Sequence, residues 1–202
     1  MERAALRAEL DTPADATVII QVSRMEAWKG HALAIGALAE LGELSWIFWI
    51  VGGAQRPAEM TYMESLRAAA ARLGVADRIR FLGERTDVRQ LLAAADIHCQ
   101  PNLRPEPFGI AFVEALAARL PVVTAAIGGA LEIVDDSCGI LVPLNDPAAL
   151  AASLRRLIDD PALCARLASA GPGRARAVSD PKGQMRRLVD ALASMGARVE
   201  VS

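Results

Sequence analysis

Six short apolar runs, spaced by segments with helical periodicity, constrain this chain more than any other feature. They are TVIIQVS (17–23), SWIFWIVG (45–52), RIRFLG (78–83), DIHCQP (96–101), PVVTA (121–125) and GILVP (139–143). The first two are apolar on both faces at their centres, so they need cover on both sides. That is the situation of a strand in a parallel sheet held between two layers of helices. Between the runs, apolar residues recur at helical spacing. Leu33, Ala37, Leu38 and Leu41 form one stripe, Leu66, Ala69, Ala70 and Leu73 a second, and Val113, Leu116, Ala117 and Leu120 a third. Gly74 suits the C-terminal end of the second helix. The Asp146-Pro147 and Asp160-Pro161 pairs each cap and open a helix, the later one spanning DPALCARLASAG. A last helix is expected from about Lys182 to Met195. The alternation predicts an α/β fold, a Rossmann-like doubly wound parallel sheet.

The 202 residues, 53% of them hydrophobic, favour one domain over two. Residues 1–202 are read as that domain, with about 1–16 as an N-terminal linker segment. A net charge of −2 argues against nucleic acid as the main partner. Cys99, Cys138 and Cys164 are odd in number and widely spaced, as reduced thiols in a cytoplasmic protein are. Only His31 and His98 are present, and no metal-ligand set is expected. The opening MERAALRAEL mixes charge into an amphipathic helix, unlike a signal peptide. The most apolar run, Leu44 to Ala54, is shorter than the about 20 residues that a membrane span requires.

In a doubly wound fold, ligands bind outside the carboxyl ends of the strands. The segment after the first run, SRMEAWKGH, brings Arg24 and Lys29 to the start of a helix. That end is already electropositive, so two cations there suit an anionic ligand; the alternative is a solvated loop. After the second run, Gly52 and Gly53 permit a sharp turn but lack the G-x-G-x-x-G spacing of a dinucleotide site. After the fourth run comes RPEPFGIAFVEALA. Pro105 and Pro107 stiffen the chain around Glu106 and restrict the directions its carboxylate can take. Gly109 removes a side chain where a helix begins, and the amides of Gly109, Ile110 and Ala111 would form an anion site suited to pyrophosphate. Glu114 falls off the apolar stripe and can reach a ligand over the first turn; as a mere dipole-favoured residue it would contribute about 0.3–1 kcal/mol. After the fifth run, Gly128 and Gly129 read either as an amide cradle before Glu132 or as an ordinary turn.

These segments, in this order, resemble the donor-nucleotide half of retaining GT-B glycosyltransferases of the group 1/GT4 family. The resemblance runs from about Thr17 to Met195, and the seven residues between Glu106 and Glu114 match that family's E-x7-E motif. It implies that Arg24 and Lys29 hold the donor diphosphate and Glu106 the sugar hydroxyls, these three being the catalytic candidates. It implies that Phe108, Gly109 and Ile110 lie beside the diphosphate and sugar, and that Glu114 binds the ribose. The stretch Arg80 to Gly83, with Leu82 and nearby Arg85, would hold the base largely through backbone groups, and Gly128 and Gly129 would form a turn close to the donor. Ser23 stands where glycine is common and Leu131 where proline is; Trp28 joins the cation loop with no assigned role.

The donor would be a UDP-, GDP- or ADP-sugar, with no cofactor and no metal, since Arg24, Lys29 and the helix tip take over charge stabilisation. The helix carrying QMRRLVDALASM resembles the one that crosses to an N-terminal acceptor-binding domain. The chain alone is therefore expected to be inactive, and the resemblance is compatible with peripheral membrane association of the full-length enzyme. Competing readings are a non-catalytic nucleotide-sugar binding module and another GT-B enzyme, such as an epimerase or a phosphorylase. A Rossmann oxidoreductase is disfavoured by the missing glycine fingerprint.

Overall fold

All six apolar runs are strands in the computed structural model, which describes residues 3–196. They are β1 (Thr17–Val22), β2 (Trp46–Val51), β3 (Ile79–Gly83), β4 (Ile97–Cys99), β5 (Val122–Ala125) and β6 (Gly139–Val142). They form one parallel sheet in the order β3-β2-β1-β4-β5-β6. The helices are α1 (Arg3–Glu9), α2 (His31–Ala39), α3 (Pro57–Arg72), α4 (Val88–Ala94), α5 (Ile110–Ala117), α6 (Ala130–Ile133), α7 (Pro147–Asp159), α8 (Pro161–Ser179) and α9 (Pro181–Gly196). The ends of the expected 1–202 domain, residues 1–2 and 197–202, lie outside the described residues.

Strand side chains alternate between two cores. Ile19, Phe48, Ile50, Ile97 and Val123 face one layer, against Leu38, Leu66, Leu150 and Leu154. Val18, Ile20, Trp49 and Val122 face the other, against Leu6, Leu91, Phe112 and Leu116. Strand order reverses between β1 and β4. This switch point leaves a crevice beyond their carboxyl ends.

Several details differ from the periodicity. Leu73 is 44% exposed, and Val75 is buried in its place. Gly74, at φ 71, closes α3 in a Schellman turn in which the Val75 amide donates to the Ala70 carbonyl. That turn folds Val75 back onto the helix face. In α5 the buried positions are Phe112, Ala115 and Leu116, while Ala117 is exposed. Helix α8 does not stop near Gly171 but runs through Pro172 to Ser179. Gly171 lies against α5, where an added Cβ would sit 2.6 Å from the Leu116 carbonyl oxygen. Packing of α8 on α5 thus outweighs the proline's cost of about 3 kcal/mol.

The N-terminal linker segment carries the expected amphipathic helix as α1, which packs into the second core through Leu6. Leu6 is buried, and Arg3 and Arg7 converge on Asp96, each at 2.5 Å. The same carboxylate accepts from the Val18 amide at 2.7 Å. Trp49 Nε1 donates to Thr12 Oγ1 at 3.1 Å, tying β2 to the same segment.

His98, at the centre of the sheet, is fully buried, and neither ring nitrogen has a hydrogen-bond partner among the described residues. Its ring stands edge-on to Phe112 at 5.9 Å. Burial pushes its pKa from 6.5 down to about 3. The unfolded chain therefore binds a proton that the folded chain refuses across that window. Stability should fall as pH drops from about 6.5 toward 3, by about 1.4 kcal/mol per pH unit from this imidazole. Urea melts of wild type and His98→Leu across this range test it. The variant should show a shallower acid limb, and identical slopes would refute the assignment.

Candidate functional site

Two strand-end loops meet at the switch point. The loop after β1 passes through a 3-10 turn, Ala27–Lys29, and Gly30 at φ 78. A Cβ on Gly30 would fall 2.0 Å from the Pro101 carbonyl oxygen, so glycine lets this loop press on the one after β4. The Leu103 amide donates to the Trp28 carbonyl at 2.7 Å and locks the contact.

The contact brings two predicted residues together. Lys29 Nζ lies 2.6 Å from Glu106 Oε2, with side chains only 12% and 14% exposed. The ammonium also sits 3.9 Å from the centroid of the Trp28 ring, a cation–π arrangement. Trp28 Nε1 in turn donates to Glu26 Oε2 at 2.7 Å. Arg24 is less committed: its side chain is 65% exposed and pairs with Glu26 at 3.2 Å.

Glu106 is held from behind as well. Asn102 Nδ2 donates to its Oε2 at 3.2 Å, and Gln100 Nε2 donates to Asn102 Oδ1 at 3.0 Å. Its backbone bridges Gly128, and the Gly129 amide donates to its carbonyl at 2.8 Å. The diglycine therefore faces protein backbone. A Cβ on Gly128 would lie 2.7 Å from the Glu106 nitrogen, and one on Gly129 2.4 Å from the Phe108 oxygen. Gly128 and Gly129 thus set the height of the Glu106 loop.

Helix α5 begins immediately beyond, with Gly109 at φ 99 as its N-cap. Phe108 and Ile110 flank that cap, 48% and 65% exposed. Glu114 is exposed and lines a groove of about 540 Å³ between α4 and α5. Arg24 lines a second groove, of about 300 Å³, with Gly52, Gly53, Glu84 and Arg85. Val88 borders both. A third hollow, about 490 Å³, lies between Phe108, Leu131, Arg174 and Arg187. Neither Lys29 nor Glu106 lines any of these three hollows; Arg24 and Glu114 line separate ones.

Charges around the second groove are fixed. Glu59 sits below the usual carboxylate range, chiefly because the Gln55 amide donates to it. Arg85 clasps Asp87 through two 2.7 Å bonds and holds that carboxyl low. The Arg80 side chain is engaged elsewhere, which leaves its backbone for the expected role. Its guanidinium donates to the carbonyls of Leu10, Asp11 and Asp77 at 2.5–3.1 Å, binding the N-terminal segment, and its side chain is absent from the cluster. Leu82 is partly buried against the second core, which leaves backbone as what this strand offers a ligand.

Periodicity missed the layer beneath Lys29. Gln21 is fully buried and donates to the Lys29 carbonyl at 2.9 Å. Ser23 Oγ lies 3.0 Å from His31 Nε2. Burial, with a smaller effect from Lys29, pushes His31 down to about 4 and keeps it neutral near pH 7. The available signal was a polar residue where an apolar run demanded otherwise: Gln21 inside TVIIQV, Gln100 and Asn102 after IHC.

A model of the family described as Glycosyl transferases group 1 matches residues 2–174. A D-inositol 3-phosphate glycosyltransferase of Streptomyces avermitilis is 36% identical over 83% of this chain and 38% of its own. The lipopolysaccharide core biosynthesis glycosyltransferase LpsD of Rhizobium meliloti is 36% identical over 82% of this chain and 46% of its own. The chain thus spans less than half the length of these two relatives. Among solved structures, HepE of Anabaena in complex with UDP and glucose superposes with a TM-score of 0.85 and 33% identity. That match covers 95% of this chain and 52% of HepE.

Proposed function

The chain belongs to the group 1 glycosyltransferase family, and from that premise we propose that it is the donor-binding half of a retaining GT-B enzyme of the GT4 type. Such an enzyme moves a sugar from a nucleoside diphosphate sugar to an acceptor. The observation that carries this reading is the Lys29–Glu106 pair at the switch point, beside the start of α5. Lys29 and Glu106 bind each other, and a sugar nucleotide offers each its complement. The diphosphate draws the ammonium, with Arg24 reaching in from the neighbouring groove, and the sugar hydroxyls donate to the carboxylate.

Bond cleavage leaves negative charge on the departing nucleoside diphosphate. Lys29, Arg24 and the α5 amides lie where that charge develops, the arrangement that lowers such a barrier. This is the basis for proposing metal-independent chemistry. Glu114, one turn along α5, completes the E-x7-E pair and takes the ribose. The UDP held by HepE fits this division of labour. Free thiols at Cys99, Cys138 and Cys164 fit a cytoplasmic setting.

Helix α9 supports a second domain. Met185, Leu188, Val189 and Leu192 recur at one-face spacing and are 52–60% exposed. We assign this face to the N-terminal acceptor-binding domain. On that account the chain alone binds donor without turning it over.

Titration of the 202-residue chain with UDP, GDP and ADP in EDTA is the test. One nucleotide should bind without magnesium. Glu114→Ala should weaken it about tenfold, the loss expected for one hydrogen bond to a charged group, with an unchanged melting temperature because Glu114 is exposed. Binding that requires magnesium would remove the metal-free account. No binding of any of the three would remove the donor reading itself.

A further inference from the structure

The proposed donor site makes Lys29 leave Glu106 for the diphosphate, which raises the question of what then holds the carboxylate. Both hydrogen bonds to the Glu106 carboxylate among the described residues fall on one oxygen, Oε2: Lys29 Nζ at 2.6 Å and Asn102 Nδ2 at 3.2 Å. Among the described residues no hydrogen bond reaches Oε1.

We infer that Asn102 is a positioning residue that holds Glu106 by Oε2 and leaves Oε1 to accept from a sugar hydroxyl; this rests on the donor reading above. Asn102 is suited to the task because burial and its own hydrogen bonds hold it in place. It is 1% exposed and follows the buried Pro101. Its own amide donates to the Gln100 carbonyl at 3.0 Å, and that carbonyl also accepts from Thr124 Oγ1 at 2.8 Å. A chain of bonds therefore runs from β5, across the end of β4, to the carboxylate. The direction of the side-chain amide is set by the carboxylate it faces. Gln100 Nε2 donates to Oδ1, and an ionised carboxylate only accepts, so the NH2 group must face Glu106. Asn102 acts through Glu106 and touches neither phosphate nor sugar in this account. When the ammonium turns to the diphosphate, the amide still holds Oε2 and keeps the carboxylate's aim.

The test compares a sugar nucleotide with its own bare diphosphate. Wild type, Asn102→Ala and Asn102→Asp are titrated with UDP and UDP-glucose, GDP and GDP-mannose, and ADP and ADP-glucose, and melting temperatures are recorded. In the pair that wild type binds, Asn102→Ala should shrink the affinity gained from the sugar about tenfold, the loss falling on the sugar nucleotide. Asn102→Asp keeps the shape and sets a like charge against Glu106; it should shrink the gain further, and it carries the test if the alanine variant fails to fold. In a Glu106→Ala background neither change should cost anything more. Equal weakening of both members of the pair, an unchanged ratio, or additive losses in the double variant would each overturn the role while leaving the donor site standing. If wild type binds none of the pairs, the donor reading fails and takes this inference with it.

Discussion

Replacing Lys29 by alanine is expected to weaken nucleoside diphosphate binding by about ten- to a hundredfold and to leave the domain folded. A hydrogen bond to a charged group contributes about 1.5–3 kcal/mol, and each 1.4 kcal/mol is tenfold in affinity. Lys29 and Lys182 are the chain's two lysines, and Lys182 lies on α9, so no other ammonium can substitute. The fold should survive because Glu106 keeps its bond to Asn102 and the loop keeps its backbone contact between Leu103 and Trp28. Lys29→Met is the sharper variant. It preserves an unbranched chain over the Trp28 ring and deletes only the charge, so it should lose as much affinity as the alanine variant. Calorimetric titration and thermal melts measure both. Wild-type affinity in either variant would mean the ammonium serves only the fold, and a melting temperature that collapses would say the same.

The second large effect is expected from the diglycine turn. Gly128→Ala should lower the melting temperature by about 4–20 °C and abolish preference for the sugar nucleotide over the bare diphosphate. At φ 61 the new residue is forced into the left-handed region, at about 1–2 kcal/mol. Its Cβ would meet the Glu106 nitrogen at 2.7 Å and oxygen at 2.8 Å. Those are backbone atoms and cannot rotate away, so overpacking adds about 1–3 kcal/mol. For a domain of this size, 1 kcal/mol corresponds to about 2–4 °C. Relief of the clash must lift the Glu106 loop, which couples the stability loss to the binding loss. Gly129→Ala should behave similarly, through the Phe108 oxygen at 2.4 Å. Gly36, where an added Cβ meets nothing within 4 Å, provides the contrast: in the middle of α2, alanine there should be neutral or stabilising. A Gly128→Ala protein with wild-type melting and binding would show that the turn does not set the loop.

Much of this architecture follows from the order of residue types. Two-sided apolar runs cannot be left facing water, so TVIIQV and WIFWIV had to become interior parallel strands. Asp146 and Asp160 cap α7 and α8 because both carboxylates accept a free first-turn amide at 2.9 Å, and the proline after each needs no amide partner. The placement of Lys29 and Glu106 in loops after strands was equally readable, because parallel strands send all their carboxyl ends to one side. Contacts between segments distant in the chain were not readable. Nothing near Arg80 announces that its guanidinium will reach Leu10 and Asp11, and nothing near Pro172 says that packing on α5 will carry α8 past it. The same holds for Asn102, four residues from Glu106 in an extended loop, where only the fold decides which way an amide turns. Local chemistry thus determined which segments are strands and where the charged groups emerge. Which charge meets which partner, and through which oxygen, was decided by tertiary packing, because such pairs depend on distances across the sheet that no local pattern encodes.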